Sequence, residues 1–521
     1  MDFVALPEWT EYRKKSGLDP LGMQASSVSF YQKLLSGIGN ATIRIRYYGF
    51  YCWLTNQYSK HIRDTDPLSW QRILCRAEAL YALTAAKAAN GNGVAGITWA
   101  SKRLEANTGS TIDFSVDTES GGDNRYLKQA WGAYGAAYGG QLFEIGLLTK
   151  SDDHDIPIPQ VGLGDQLAGA FESMTGQIGG IFFNAVKKGS VSLLELDEFE
   201  VLLPSNIDVN GDERQLYEEL LFACVENPTE KEIRRKYSLG LILKTAEQLK
   251  RRPSVHEIRW LAYSGYSTDE QALLIDNSEL DAHVKHWWTY QANDLVHIIF
   301  ETFLKYLLDI LEEYPQGVTL HGLVSAGVGR LKAEIKVKPV DWAEYIALCI
   351  PEDNAANESD YSEKSLCEVI FRETGSKGIC KADTALKALC MLAIIQNRVT
   401  KEKNSLTDSL SEIRDEPFRS LKTELDFLES SNKEEFWSVV SRLFLERTLR
   451  RHLWVATNKL RYQGDYTYLL EPDDGLVRLR GKDGPVFTNP RLSPAINFLE
   501  DIGLLDRSGI TSAGIRVLDS L

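Results

Sequence analysis

The sequence predicts a mainly α, multidomain helical protein with winged-helix-like units near its N- and C-terminal ends. Helical periodicity dominates the apolar pattern, and strand-like alternation is scarce. A phrase also recurs near the two ends, Ile145-Gly146-Leu147-Leu148-Thr149-Lys150-Ser151 and Ile502-Gly503-Leu504-Leu505-Asp506-Arg507-Ser508. In each copy a helical stretch runs into Gly-Leu-Leu, a polar turn follows, and a glycine opens a second apolar stretch, Gly164 to Leu167 or Gly514 to Leu518. A helix stopped by glycine, then a short strand leading into a hairpin, suits the end of a winged-helix unit. The 521 residues suffice for about three domains of ~150 residues each.

Residues 43 to 58 form the first predicted helix, overlapping the aromatic stretch Asn40 to Trp53. At about 100° per residue, Arg44, Tyr48, Tyr51 and Tyr58 share one face while Ile43, Phe50 and Leu54 crowd another. A helix so crowded with large side chains belongs in a core or against another domain, the alternative being a base-stacking or ligand surface. The alanine-rich residues 70 to 89 and the run 126 to 144 follow. Next come 213 to 225 and 229 to 250, where Thr229 with Glu232 three positions on makes a capping box. Residues 285 to 313, 366 to 373, 382 to 397 and 436 to 461 complete the series. Polar breaks at 205 to 212 and 351 to 365 help to divide the chain. Four segments result: 1–175, an N-terminal helical domain with a winged-helix-like end; 176–350, a central helical domain; 351–435, an acidic linker and helical connector; and 436–521, a C-terminal winged-helix-like domain.

A net charge of −15 excludes a protein coated in nucleic acid, because such binding comes mainly from lysine and arginine neutralising phosphates. DNA contact would therefore be made by local basic patches on an acidic body. Seven scattered cysteines without a close CxxC pair suit reduced thiols better than a disulfide framework or a zinc site. The N-terminus lacks a basic-then-apolar signal, and no uninterrupted apolar run reaches the ~18 residues that span a bilayer. The expected location is cytoplasmic, away from membranes.

Residues 436 to 461 carry the best argument for nucleic acid. On one helix Leu445, Leu449, Leu453, Ala456 and Leu460 fall on one face, and Arg447, Arg450, Arg451, Trp454, Asn458 and Arg461 gather on the opposite one. Such a face binds phosphates and stacks on or hydrogen-bonds to a base. Downstream, Arg478, Arg480 and Lys482 alternate with Val477, Leu479 and Gly481 and would point to one side of a strand, where a basic wing would be. The competing reading is a solvated stripe, or one paired with acidic residues such as Glu471, Asp473 and Asp474.

A single His-carboxylate cluster stands out. Asp294, His297 and Glu301 are spaced i, i+3, i+7 and form a candidate metal or acid-base group; His286, about 16 Å away along the axis, cannot join them. A satisfied polar seam between helices explains the same residues, and no cofactor is expected. Gly91 to Gly96 satisfies GxGxxG but follows a helix rather than a strand, and reads as a loop. Glu334-Ile335-Lys336 resembles half of a nuclease motif whose upstream Asp309 falls in a helical segment. Asp208 to Asp212 begins like a calcium loop but has Glu213 where glycine is required. No Walker A, GxSxG or HExxH motif is present, so no reaction is named.

The stretches LDPLGMQASSVSFYQKLLSGIGNATIRIRYYGFYCWL (residues 18 to 54) and RRHLWVATNKLRYQGDYTYLLEPDDG (residues 450 to 475) resemble large bacterial proteins encoded near phage-defence or mobile-element genes. The resemblance implies a defence-associated, DNA-linked role without supplying catalytic residues. The expectation is a non-catalytic DNA-associated subunit or adaptor of such an assembly, with protein partners from the same locus. Its rivals are a protein-protein scaffold and a metal-dependent nuclease.

Overall fold

The computed structural model describes residues 19–119, 124–267, 271–350, 363–375, 378–413 and 419–521, and it is mainly helical. Its strands are short and form two-stranded antiparallel pairs. Two compact units account for the chain, each assembled from separated segments. Among the described residues the first comprises 19–30, 259–267, 271–272, 285–350, 363–375, 378–413 and 419–488; the second comprises 31–119, 124–258, 273–284 and 489–521. This division differs from the four consecutive segments read from composition. Of the acidic stretch 351 to 365, residues 351–362 lie outside the described residues, and Glu363 opens the helix Glu363–Thr374. No described helix is long and apolar enough to cross a membrane.

In the first unit, every residue from 287 to 311 of the helix Ser278–Leu311 is buried. Full burial suits its apolar majority, but the helix also carries Asp294, His297, Glu301, Lys305 and Asp309 inside. They alternate in sign along one face at i, i+3 and i+4 spacings. The helix Leu320–Glu334 packs against both Ala382–Glu402 and Phe436–Arg442. Residues 480–490 have no regular secondary structure. The buried carboxylates satisfy part of this segment: Val486 N–H donates to Glu301 (3.1 Å), and Thr488 donates its N–H (3.2 Å) and hydroxyl (2.9 Å) to Asp294.

The second unit is built on the helix Arg46–His61, whose Tyr47, Phe50, Tyr51 and Trp53 pack against Tyr81, Tyr138, Phe171 and Phe182. Arg46 is fully buried and holds Glu213 with two parallel contacts of 3.1 and 3.0 Å; its remaining donors reach the carbonyls of Val201 and Leu203. Glu213, which stood in place of a calcium-loop glycine, is thus a structural ion-pair partner. Asp208 beside it forms a turn through Asn210 N–H at 3.0 Å.

The repeated phrase has one local structure in both copies, and both belong to the second unit. The helices Gly139–Glu144 and Leu492–Asp501 end at left-handed glycines, Gly146 (φ +82°) and Gly503 (φ +70°). Leu147 N–H returns to Leu142 C=O and Leu504 N–H to Leu499 C=O, both at 2.9 Å, closing equivalent helix-ending turns. Hairpins follow, Leu148–Lys150 with Pro157–Pro159 and Leu505–Asp506 with Gly509–Ile510. Each then enters a helix, Leu163–Lys188 or Ser512–Asp519. At Gly164 and Gly514 an added Cβ would lie 2.3 Å from the carbonyl oxygen of Leu147 and Leu504 respectively. Each glycine therefore permits the second helix to approach the end of the first. What these segments establish is a duplicated helix–hairpin–helix unit.

One predicted helix is replaced. Within 126 to 144 the chain makes turns, then the π-helical segment Tyr134–Tyr138, then the short helix Gly139–Glu144. Gly132 takes φ +56°, a conformation that interrupts helix, and Gly135, Gly139 and Gly140 weaken the run further.

Candidate nucleic-acid interface

The predicted basic helix is a continuous rod with an irregular centre: Phe436–Arg442 is α-helical, Leu443–Leu449 is π-helical, and Arg450–Gln463 is α-helical again. Glu435 caps its start by accepting from Ser438 N–H at 2.6 Å, and Gly464 ends it at φ +69°. A π segment advances by less than an α-helical step per residue, so side chains on either side of it drift out of phase. The faces drawn at a constant angle are corrected accordingly. Arg447 and Arg451 turn inward, and Leu460 is 39 % exposed.

Arg447 donates to Glu424 (2.9 Å) and to the Thr423 carbonyl (2.9 Å), with its guanidinium 4.5 Å from the centre of the Phe427 ring. Arg451 is buried, donates to the Leu21 carbonyl at 2.8 Å and stacks over Trp454; burial lowers its pKa to about 10. Arg450, Trp454, Thr457 and Arg461, spaced i, i+4, i+7 and i+11, form an exposed stripe flanked by half-buried Asn458 and by Tyr462. Arg450 and Arg461 have no ion-pair partner among the described residues.

His452 fixes this helix from its buried side. Its Nδ1–H donates to the Pro20 carbonyl at 3.0 Å, while Nε2 accepts from Leu469 N–H at 2.9 Å. Acceptance by Nε2 requires the neutral ring, and burial lowers its pKa to about 4. The stripe is therefore held on a rigid element.

The expected basic wing is a hairpin, Leu470–Asp473 with Leu476–Leu479, turning through Asp474 and Gly475 at φ +49° and +76°. Its cations are paired. Arg478 Nε lies 2.8 Å from Asp473, Arg480 Nε 2.6 Å from Glu471, and Lys482 Nζ 2.8 Å from Asp309 with Glu312 also in contact. These three residues do not extend the open cations of the helix stripe.

Asp294, His297 and Glu301 do come together, in the interior of the first unit. His297 lies 2.8 Å from Glu301 and 3.5 Å from Asp294, and Asp294 is 2.5 Å from Arg259. The ring nitrogens are poorly aligned for hydrogen bonding, so the attraction is chiefly Coulombic. Burial opposes charge on His297, but Glu301 and Asp294 outweigh it and raise its pKa well above the ordinary value; burial likewise opposes charge on Asp294, yet Arg259 and His297 hold it down at about 2. An imidazolium between two carboxylates is a chain of alternating charges, with no lone pair presented to a metal. Among the described residues no group of three or more His, Cys, Asp and Glu has an arrangement that could hold a metal ion. Asp309, the upstream half of the nuclease-like pattern, is bound by Lys305 at 2.6 Å and by Lys482.

Comparison with family models, curated proteins and solved structures finds no match.

Sequence reasoning passed over Arg259, His452 and Tyr462. Arg259 lies 35 positions before Asp294 and carries no local signal. His452 is enclosed only because residues 20 and 469 return to the helix. Tyr462 adjoined the predicted stripe and could have been found by continuing the periodicity one residue.

Proposed function

We propose that the chain is a non-catalytic, nucleic-acid-contacting adaptor, a subunit of a bacterial defence or DNA-processing assembly whose chemistry is done by a partner. The observation that carries this reading is the exposed stripe Arg450, Trp454, Thr457, Arg461 with Tyr462 beside it. Two unpaired guanidinium groups supply phosphate contacts, and two exposed aromatic rings supply stacking surface. Its local character agrees with the acidic net charge. In this reading the duplicated helix–hairpin–helix units are winged-helix-like platforms for DNA or for partner subunits.

The test is fluorescence anisotropy of labelled duplex and single-stranded DNA across a salt series, comparing wild type with Arg450→Glu, Arg461→Glu. Loss of two phosphate contacts should reduce the slope of log affinity against log salt by about 1.8 on duplex. Identical affinity and slope in the two proteins would remove the stripe from consideration. A second reading is favoured by Leu460 and Tyr462, 39 % and 75 % exposed, which give the helix an apolar flank suited to a protein partner. That scaffold reading predicts negligible DNA affinity in the wild type and a stable complex with a product of the same locus, lost on Tyr462→Asp.

A further inference from the structure

The thiols of this chain are not equivalent. Cys52, Cys75, Cys367 and Cys380 are buried, and burial pushes each of them above the usual thiol value, as suits inert core side chains. Cys224 is exposed and lies in the second unit. Cys349 and Cys390, both in the first unit, are half-buried, and the Cys390 thiol donates to the Cys349 sulfur.

Helix packing explains why the two meet. The helix Trp342–Cys349 packs against Ala382–Glu402, and Trp342, Tyr345 and Cys349 fall on one of its faces at i, i+3 and i+7. Trp342 Nε1–H donates to Gln396 at 2.7 Å and sets the register. Seven residues along the first helix is about 10.5 Å, and six residues back along the second is about 9 Å, so an antiparallel pair joined at Trp342 and Gln396 brings Cys349 level with Cys390. The Tyr345 hydroxyl, one turn before Cys349, donates to the same sulfur. The Cys390 thiol, together with this hydroxyl, holds Cys349 below the usual thiol value against the opposing effect of burial; the same contact pushes Cys390 up. One sulfur that ionises readily and is within reach of solvent thus touches a neutral thiol.

We infer that Cys349 and Cys390 form a reversible peroxide-modification site, in which a hydroperoxide oxidises Cys349 and Cys390 resolves the product to an intramolecular disulfide. The Cys349 thiolate attacks the terminal peroxide oxygen, the O–O bond breaks, and the leaving oxygen takes up a proton to depart as alcohol or water, leaving a sulfenic acid. The Cys390 sulfur then attacks the Cys349 sulfur; the S–S bond forms, the S–O bond breaks, and the oxygen leaves as water with the Cys390 proton. The two electrons lost by the thiols are those that reduce the peroxide. Cys349 is the last residue of its helix, so no following helical turn opposes the closure of the two sulfurs. The staple would fix the helix on which the start of the basic rod rests, where Phe436 N–H donates to the Val340 carbonyl at 3.1 Å and the Phe436 ring lies 4.5 Å from that of Tyr345.

The test treats the reduced full chain with equimolar hydrogen peroxide, blocks the remaining thiols with N-ethylmaleimide, and maps the unreduced digest by mass spectrometry. A linked peptide joining Cys349 to Cys390 should appear, about 2 Da lighter than its two reduced halves together. Two of the seven thiols should disappear from a titration of the denatured protein, and dithiothreitol should restore them. Amide hydrogens of Trp342–Cys349 should exchange several-fold more slowly in the oxidised protein. In Cys390→Ser, dimedone should capture a sulfenic acid at Cys349; in Cys349→Ser, it should capture none at Cys390. Absence of the linked peptide from oxidised wild type would overturn the assignment, whether peroxide labels Cys224 instead or carries Cys349 on to the sulfinic acid. Equal capture at the remaining sulfur of both serine variants would overturn the roles given to the two thiols.

Discussion

Acid should loosen the candidate interface through one residue, His452. The folded protein encloses the neutral ring, with Nδ1–H on Pro20 and Nε2 accepting from Leu469. Burial lowers its pKa to about 4, against about 6.5 for an exposed histidine. Because the folded value is depressed, the stabilisation is complete above about pH 6.5 and is lost as pH falls toward 4, where the unfolded chain takes up a proton that the folded one refuses. Between pH 7 and 4.5 the loss is about 2.5 kcal/mol for this group alone. The reference is His452→Gln, which retains an acceptor for Leu469 N–H and does not titrate. Urea-induced unfolding, read by hydrogen exchange in the helix Arg450–Gln463, would be measured for both proteins at pH 7, 6, 5 and 4.5. Wild type should be the more stable at pH 7, and its advantage should shrink by about 2.5 kcal/mol by pH 4.5. Subtracting the variant removes every other group that titrates alike in both. A constant difference across the series would show that His452 is not held neutral, and a growing one would mean that the folded state prefers the imidazolium.

His297 should behave oppositely. Its raised pKa means that its contribution is complete below about pH 6.5 and lost as pH rises through the folded value, so nitrogen-15 NMR should still show an imidazolium at pH 8; a neutral ring there would refute the charge chain. Gly164→Ala and Gly514→Ala each drive a methyl toward a carbonyl at 2.3 Å, and each should cost roughly 1–3 kcal/mol, whereas Gly140→Ala, with no atom within 4 Å, should be neutral or stabilising in thermal melts. Buried Glu78 accepts from Ala133 N–H, Tyr134 N–H and the hydroxyls of Tyr51 and Tyr126, two bonds on each oxygen; Glu78→Gln replaces one oxygen by a donor, so stability should fall by roughly 3 kcal/mol, and an unchanged melting temperature would refute the expectation.

Local chemistry alone decided several features. The Thr229–Glu232 capping box forms as expected, with Thr229 N–H donating to Glu232 at 2.7 Å, because both partners lie within one turn. The crowding of residues 40 to 53 announced a buried helix, and the recurring Gly-Leu-Leu phrase announced a repeated helix end. The spacing of Asp294, His297 and Glu301 placed them on one face, but their roles needed Arg259, Val486 and Thr488, brought in from distant positions. The π-helical segment at Leu443–Leu449 defeated the prediction of which arginines are exposed, since a constant helical step assumes regular hydrogen bonding.

The sequence by itself determined where most long helices run, how the repeated unit ends its first helix, and which side chains carry charge. These follow from propensity, periodicity and capping over a few residues. Tertiary structure alone decided that the chain builds two discontinuous units, that Arg451 is enclosed while Arg450 and Arg461 stay open, that the wing cations are paired, and that the Cys349 and Cys390 thiols meet. Burial and ion pairing depend on which segments return to the same place, and one chain read along its length does not record those returns.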